Sequence, residues 1–237
     1  MWKNKLLVIT LTLIFSFNNY DLLSQEETFS FEELTGKVLP KKSNNPHKLR
    51  GEVYEAFLKM AKAAKKDGIE IQIVSGYRSF SHQQRIFDRK YKKFTAQGLT
   101  PEAAVEKIIE YSTIPGTSRH HWGTDIDIIQ KNAFQPKNLL IASNFENNGP
   151  FCPLKEWMDA NATQFGFKLV YTNDPNRKGF KYEPWHYTYL PTSKNMLNAY
   201  LQQDTHVKII NNSILKIDSN SQKFVNKYLK NNILDIF

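Results

Sequence analysis

The sequence has a single cysteine, Cys152, which excludes any internal disulfide. An exported chain without disulfides is ordinary for a bacterial envelope and less usual for an extracellular eukaryotic domain. Cys152 lies between Phe151 and Pro153 with no histidine at local spacing, so it reads as a small buried hydrophobe and not a nucleophile. Acidic residues are in deficit: 23 Asp and Glu against 32 Lys and Arg leave a formal net charge of +9. The basic side chains are dispersed along helical stretches such as Lys59, Lys62, Lys65 and Lys66, as on solvated helix faces. No nucleic-acid module is present, and no nucleic acid is expected as a partner. In an envelope this charge would draw the protein toward anionic wall polymers or lipid surfaces. Internal repeats and interdomain linkers are also lacking.

No apolar run reaches the roughly 20 residues that a bilayer span needs. Leu6–Phe17 comes nearest; it follows Lys3 and Lys5 and gives way to polar residues, the pattern of a secretory signal. Residues 1–24 are therefore expected to be a signal peptide. A retained anchor is the alternative, because Leu22-Leu23-Ser24 offers one small residue for cleavage. No cysteine follows the run, which excludes lipidation there. Export to the periplasm or cell envelope of a bacterium follows, with no stable membrane insertion beyond this segment. A length of 237 residues with 41% hydrophobic content suits one domain with a sizeable core, expected as a monomer.

Residues 25–48 read as a polar N-terminal arm. Val53, Phe57, Met60 and Ala64 then recur at helical spacing, and Asp67-Gly68 closes that helix. Ile69, Ile71 and Ile73 alternate along a strand to Ser75. Ser79 or Ser81 can cap a helix running to about Phe94. Thr100-Pro101 opens another, ending by Pro115-Gly116. Strands are expected at 125–129, 167–171 and 181–189, with a short helix at 155–165 stopped by Gly166. Past Pro191, the residues Phe224, Tyr228, Ile233 and Leu234 suggest one final amphipathic helix. The fold class is α+β: a single domain over 49–192 with a small antiparallel sheet and flanking helices, and a helical tail at 193–237 packed on it.

The chemistry concentrates in Thr117–Asp127 and in Glu183-Pro184-Trp185-His186. In the first, a loop histidine and a strand carboxylate can converge across a turn at Gly123. His120 competes with His121, and Asp125 with Asp127, because residues two apart share a strand face. In the second, Glu183 and His186 are three apart, so an ideal strand would oppose them; a bulge or bend at Pro184 is required to bring both to one centre. Two imidazoles and one carboxylate with an open position suit a catalytic zinc ion, leaving the other carboxylate as base.

Three motifs then become specific together. Ser118-x-His120-x-x-Gly123-x-Asp125-x-Asp127 resembles the S-x-H-x-x-G-x-A-x-D motif of the zinc D-alanyl-D-alanine carboxypeptidases, VanY-like members of the fold group shared with lysostaphin-type peptidases and the sonic hedgehog signalling domain. Glu183-Pro184-Trp185-His186 resembles their E-x-W-H motif. Ser75-Gly76-Tyr77-Arg78-Ser79 with Gln83 and Phe87 is similar to their S-G-Y-R-S-x-x-x-Q-x-x-x-F signature. The resemblance implies that His120, Asp127 and His186 bind one Zn2+ per chain and that Glu183 is general base, then acid. It implies that Arg78 stabilises the oxyanion and that Ser118, Gln83 and Tyr77 contact substrate. Trp185 is expected to pack under the site, and His121 to act as a packing or supporting residue. Asp125 stands where the motif has Ala; it is expected to hydrogen-bond a ligand histidine or to pair with Arg119, and the residues alone do not choose. His47, His82 and His206 read as surface or structural.

The implied activity is removal of a terminal D-Ala from peptidoglycan stem peptides. L,D-carboxypeptidase, D-Ala-D-Ala dipeptidase and endopeptidase specificities share these motifs. A zinc-containing module that binds wall peptide without cutting it is the alternative of another class, and it would need neither Glu183 nor Arg78. A serine enzyme built on Ser118 and His120 lacks a nucleophile elbow and an oxyanion hole.

Overall fold

The computed structural model describes residues 28–211 and 221–236; the expected signal segment lies outside them. The arm is not featureless: Ser30 caps a four-residue helix α1 (Phe31–Leu34) through a capping box with Glu33. Next come α2 (Gly51–Lys66), β1 (Ile71–Ser75), α3 (Phe80–Ala96) and α4 (Pro101–Ile108). Ser79 caps α3 and Thr100 caps α4, with Pro101 in its first turn. A short 3-10 turn (Arg119–Trp122) leads into β2 (Asp125–Gln130). Then follow α5 (Cys152–Asn161), β3 (Phe167–Leu169), β4 (His186–Tyr189), α6 (Leu190–Gln202), α7 (Thr205–Asn211) and α8 (Ser221–Tyr228).

The four strands form one antiparallel sheet in the order β1-β2-β4-β3. β2 is buried along its whole length, so its two faces serve different purposes. Ile126 and Ile128 point into a core shared with Phe57 and Met60 of α2 and with Leu154 and Met158 of α5. Asp125 and Asp127 point the other way. A second core gathers Phe87, Val105, Met196, Tyr200 and Tyr228 from α3, α4, α6 and α8. The polar face of the sheet carries Asp127 and His186. Among the described residues no helix is long and apolar enough to cross a membrane.

Several expectations are corrected. The strand read over 181–189 begins only at His186, because Pro184 and Trp185 form a turn in which the His186 N–H reaches the Glu183 carbonyl at 3.0 Å. Glu183 thus precedes the strand. The helix read to Pro115 stops at Ile108, after which residues 109–118 form a loop, and the helix expected from 155 starts at Cys152. Cys152 is half-buried, not buried, and its thiol faces Glu156. The tail holds α7, α8 and most of α6 in place of one helix. Met196 and Tyr200, four apart on α6, are fully buried, so that segment packs by its own apolar pair.

Candidate metal centre and substrate cleft

The register of β2 against β4 places Asp127 opposite His186 and Asp125 opposite Thr188. His120 arrives from the 3-10 turn, which Gly123 ends at φ 68°, a left-handed conformation natural to glycine. A side chain there would also strike Pro40, since an added Cβ would lie 2.6 Å from its ring. His120, Asp127 and His186 thereby converge, with one ligand atom from each lying within 4.8 Å of the others.

Hydrogen bonds orient both imidazoles. His120 Nδ1 lies 2.7 Å from the Gly76 carbonyl, which can only accept, so Nδ1 carries the proton. Its Nε2 lone pair then faces Asp127 Oδ2 at 3.3 Å. His186 Nε2 donates to Asp125 Oδ2 at 2.9 Å, which turns Nδ1 toward Asp127 Oδ1 and Glu183 Oε2, each at 3.3 Å. Asp127 Oδ1 is buried without a hydrogen-bond partner. Two nitrogen lone pairs and an unpartnered carboxylate oxygen facing one point suit a small divalent cation with nitrogen and oxygen ligands.

The electrostatics agree. Burial disfavours charge on Asp127, yet the neighbouring imidazoles and Arg78 hold its pKa down at about 2. Burial likewise opposes charge on His186, but hydrogen bonds to Asp125 and Glu183 and the charge of Asp127 raise its pKa to about 10. The pocket favours positive charge between its carboxylates, and a bound cation would take the place of that proton.

Asp125 does both things between which the sequence could not choose. Its Oδ2 accepts from His186 and from Arg119 Nε at 2.9 Å; its Oδ1 accepts from Thr124 Oγ1 at 2.8 Å and Thr188 Oγ1 at 2.6 Å. Four bonds saturate the carboxylate and keep it off the open position. Arg119 in turn stacks over Trp122, 4.7 Å from the ring centre.

Around this point lies a cleft of about 530 Å³ lined by Arg78, Ser118, Glu183 and Trp185 as well as the three ligand candidates. Ser118 Oγ is buried and has no partner. Trp185 packs beneath the site, its ring centre 5.8 Å from that of Phe145. Gln83 and Tyr77, expected on the substrate, are placed elsewhere. Gln83 is fully buried behind Arg78: its carbonyl accepts from the guanidinium at 2.9 Å, and its amide donates to Ser112 Oγ and the Thr113 carbonyl. Tyr77 turns its hydroxyl to the carbonyls of Gly36 and Val38, tying down the arm. Neither reaches the cleft wall, because their hydrogen-bonding atoms are spent on protein groups. His121 accepts from the Gly116 N–H at Nε2 and donates from Nδ1 to the Arg78 carbonyl at 2.6 Å, fixing the backbone that carries the arginine. His47, His82 and His206 lie away from the cleft. Tyr171, Phe180, Ser112 and Thr113 also line the cleft, with residues 140–142 and Tyr182 among others, and none of these stood out in the sequence. Tyr171 lies edge-on to His186 at 4.8 Å.

Comparison with known proteins supplies the family context. A family model described as VanY: D-alanyl-D-alanine carboxypeptidase matches residues 46–192. YodJ of Bacillus subtilis (strain 168) is 32% identical over 173 residues, covering 72% of this chain and 53% of that protein. A D-alanyl-D-alanine carboxypeptidase of Enterococcus faecalis is 32% identical over 129 residues, 54% of this chain and 43% of the relative. The chain thus spans about half the length of these relatives. Among solved structures, a mutant of the vancomycin-resistance D,D-pentapeptidase VanY, in complex with Zn(II), is similar in fold at a TM-score of 0.51 and 24% identity, covering 76% of this chain and 88% of that one.

Proposed function

The chain belongs to the VanY D-alanyl-D-alanine carboxypeptidase family, and from that premise we propose that it is a zinc-dependent peptidase removing a terminal D-Ala from peptidoglycan stem peptides. It acts as an exported monomer in a bacterial envelope and holds one Zn2+ per chain. The observation that carries this reading is the convergence of His120, Asp127 and His186 beside Glu183 and Arg78 in one cleft.

His120 through Nε2, Asp127, and His186 through Nδ1 would hold the ion. When bound, zinc supplies Lewis-acid polarisation of a carbonyl and lowers the pKa of water toward neutrality. Glu183, whose Oε2 lies 3.3 Å from His186 Nδ1, would be the base for the proton of an attacking water. It takes that proton as the water oxygen bonds to the scissile carbonyl carbon, then delivers it to the amine nitrogen as the C–N bond breaks. Arg78 places a fixed positive charge against the carbonyl oxygen as it becomes anionic. Gln83 and Ser75 hold the guanidinium plane, with Arg78 Nη2 3.2 Å from Ser75 Oγ. Ser118 has an unspent hydroxyl with which to donate to the substrate's terminal carboxylate. Asp125 and His121 hold the imidazole and the arginine loop in place.

The test is incubation of the protein with disaccharide tetra- and pentapeptides, following product masses, beside chelated and Glu183→Gln samples. Loss of one D-Ala from the pentapeptide alone, abolished in both controls, is the expected result. Loss from the tetrapeptide would make the enzyme an L,D-carboxypeptidase. No cleavage of either, with metal still bound one to one, would overturn the enzyme reading in favour of a wall-binding module.

A further inference from the structure

The family match ends at residue 192, yet the segment 221–236 reaches back to two segments that line the cleft. The first is the loop carrying Thr113 and Ser118. Tyr228, at the end of α8, is buried against it. Thr117 Oγ1 spends its proton on the Ile114 carbonyl at 2.8 Å, so the Tyr228 hydroxyl donates to Thr117 Oγ1 at 2.8 Å and accepts the Ile114 N–H at 3.3 Å. The second is the segment carrying Tyr171, Phe180 and Glu183. There the Asp235 carboxylate accepts the backbone N–H groups of Lys178 and Gly179, and its carbonyl accepts two bonds from Arg177, at 3.2 and 3.1 Å. Between these anchors the chain lies against Gly179 so closely that an added Cβ would fall 1.7 Å from the Asn231 carbonyl oxygen. Asn232 adds a bond to the Ile109 carbonyl at 3.3 Å.

One short segment therefore hydrogen-bonds to two cleft-lining loops, which meet each other where the Lys181 N–H bonds the Glu110 carbonyl at 2.9 Å. We propose that residues 221–236 are a strap that braces this joined pair of loops against the cleft, with Tyr228 and Asp235 as positioning residues for substrate binding. The proposal rests on the peptidase reading for its substrate. The strap touches neither the ligand candidates nor Glu183, so its effect falls on substrate affinity and not on the metal or the proton transfers.

The test compares full-length wild type with Tyr228→Phe, Asp235→Ala and Asp235→Asn, measuring KM, kcat and bound zinc with the stem pentapeptide. Tyr228→Phe and Asp235→Ala are expected to raise KM about fivefold or more, with kcat and zinc content within twofold. Asp235→Asn keeps an acceptor oxygen and is expected to recover most of the loss. Lower melting temperatures with KM unchanged would overturn the proposal and leave the tail a merely structural addition. If wild type cleaves nothing, the peptidase reading fails first, and amide hydrogen exchange then decides the strap. Faster exchange in both 112–118 and 177–183 in these variants supports it, and unchanged exchange in either segment overturns it.

Discussion

Asp125 and His186 are joined at 2.9 Å, carboxylate Oδ2 to ring Nε2, and this bond decides which ring nitrogen faces Asp127. The pair lies across neighbouring strands, two residues away from direct opposition, since Asp125 itself faces Thr188. A carboxylate where the family motif has alanine thus becomes the group that sets the tautomer of His186.

Replacing Asp125 by Asn should therefore weaken metal binding without emptying the first coordination positions. The expected loss is roughly 10- to 100-fold in affinity, typical of partners that orient a ligand histidine. Competition against a chromophoric chelator measures it. Affinity equal to wild type would remove Asp125 from the metal centre's support.

Gln83→Leu should act through Arg78. The change strips the guanidinium of its 2.9 Å bond and leaves the buried Thr113 carbonyl without the Gln83 amide. A stability cost of about 1–3 kcal/mol is expected from the lost buried bonds, together with a fall in kcat/KM larger than that of Tyr77→Phe. Equilibrium unfolding and steady-state kinetics on the two variants separate these effects.

Tyr228 makes the fold sensitive to alkali. Burial raises its phenol pKa to about 12, against the lowering effect of its bonds to Thr117 and Ile114. An unfolded tyrosine ionises near 10, so the unfolded chain loses a proton that the folded one keeps. The stabilisation is complete below pH 10 and disappears as pH rises toward 12. Melting temperature should fall across that window, less steeply in Tyr228→Phe. Equal slopes in the two proteins would contradict this assignment.

Arg50→Met should be severely destabilising although it is remote from the cleft. The arginine is 1% exposed, bonds Glu33 Oε1 and the Trp122 carbonyl at 3.0 Å each, and lies over the Phe29 ring. Removing it strands a buried carboxylate, at a cost of about 3–5 kcal/mol. Urea unfolding checks the magnitude. A change below about 1 kcal/mol would show that Glu33 finds other partners.

The residues that carry chemistry were legible because their types are restrictive. Few arrangements other than a metal site bring two histidines and several carboxylates together at turn and strand ends, and His120, Asp127, Glu183 and His186 do meet. The helix caps at Ser79 and Thr100 were legible for the same local reason. Side-chain destinations were not. Gln83 faces inward on α3, but periodicity does not tell whether an inward amide meets substrate or backs an arginine. Glu183 was read into a strand because its neighbours are aromatic, while Pro184 favours the turn that the structure contains. Tyr171, Phe180 and Thr113 reach the cleft through irregular loops, where no period marks a face. The tail's contacts depend on an approach to Gly179 and Thr117 from far along the chain, which no local pattern encodes.

The order in which the site can come into being follows from the strand order. Asp127 and His186 belong to strands that are neighbours in the sheet but distant in sequence, with α5 and β3 between them. His120 and Asp127 lie on one turn-and-strand unit, so a chain lacking β4 holds at most these two donors near each other. Assembly of all three donors consequently waits until β4 has docked on β2. A metal held by all three would then report that this strand pairing has formed.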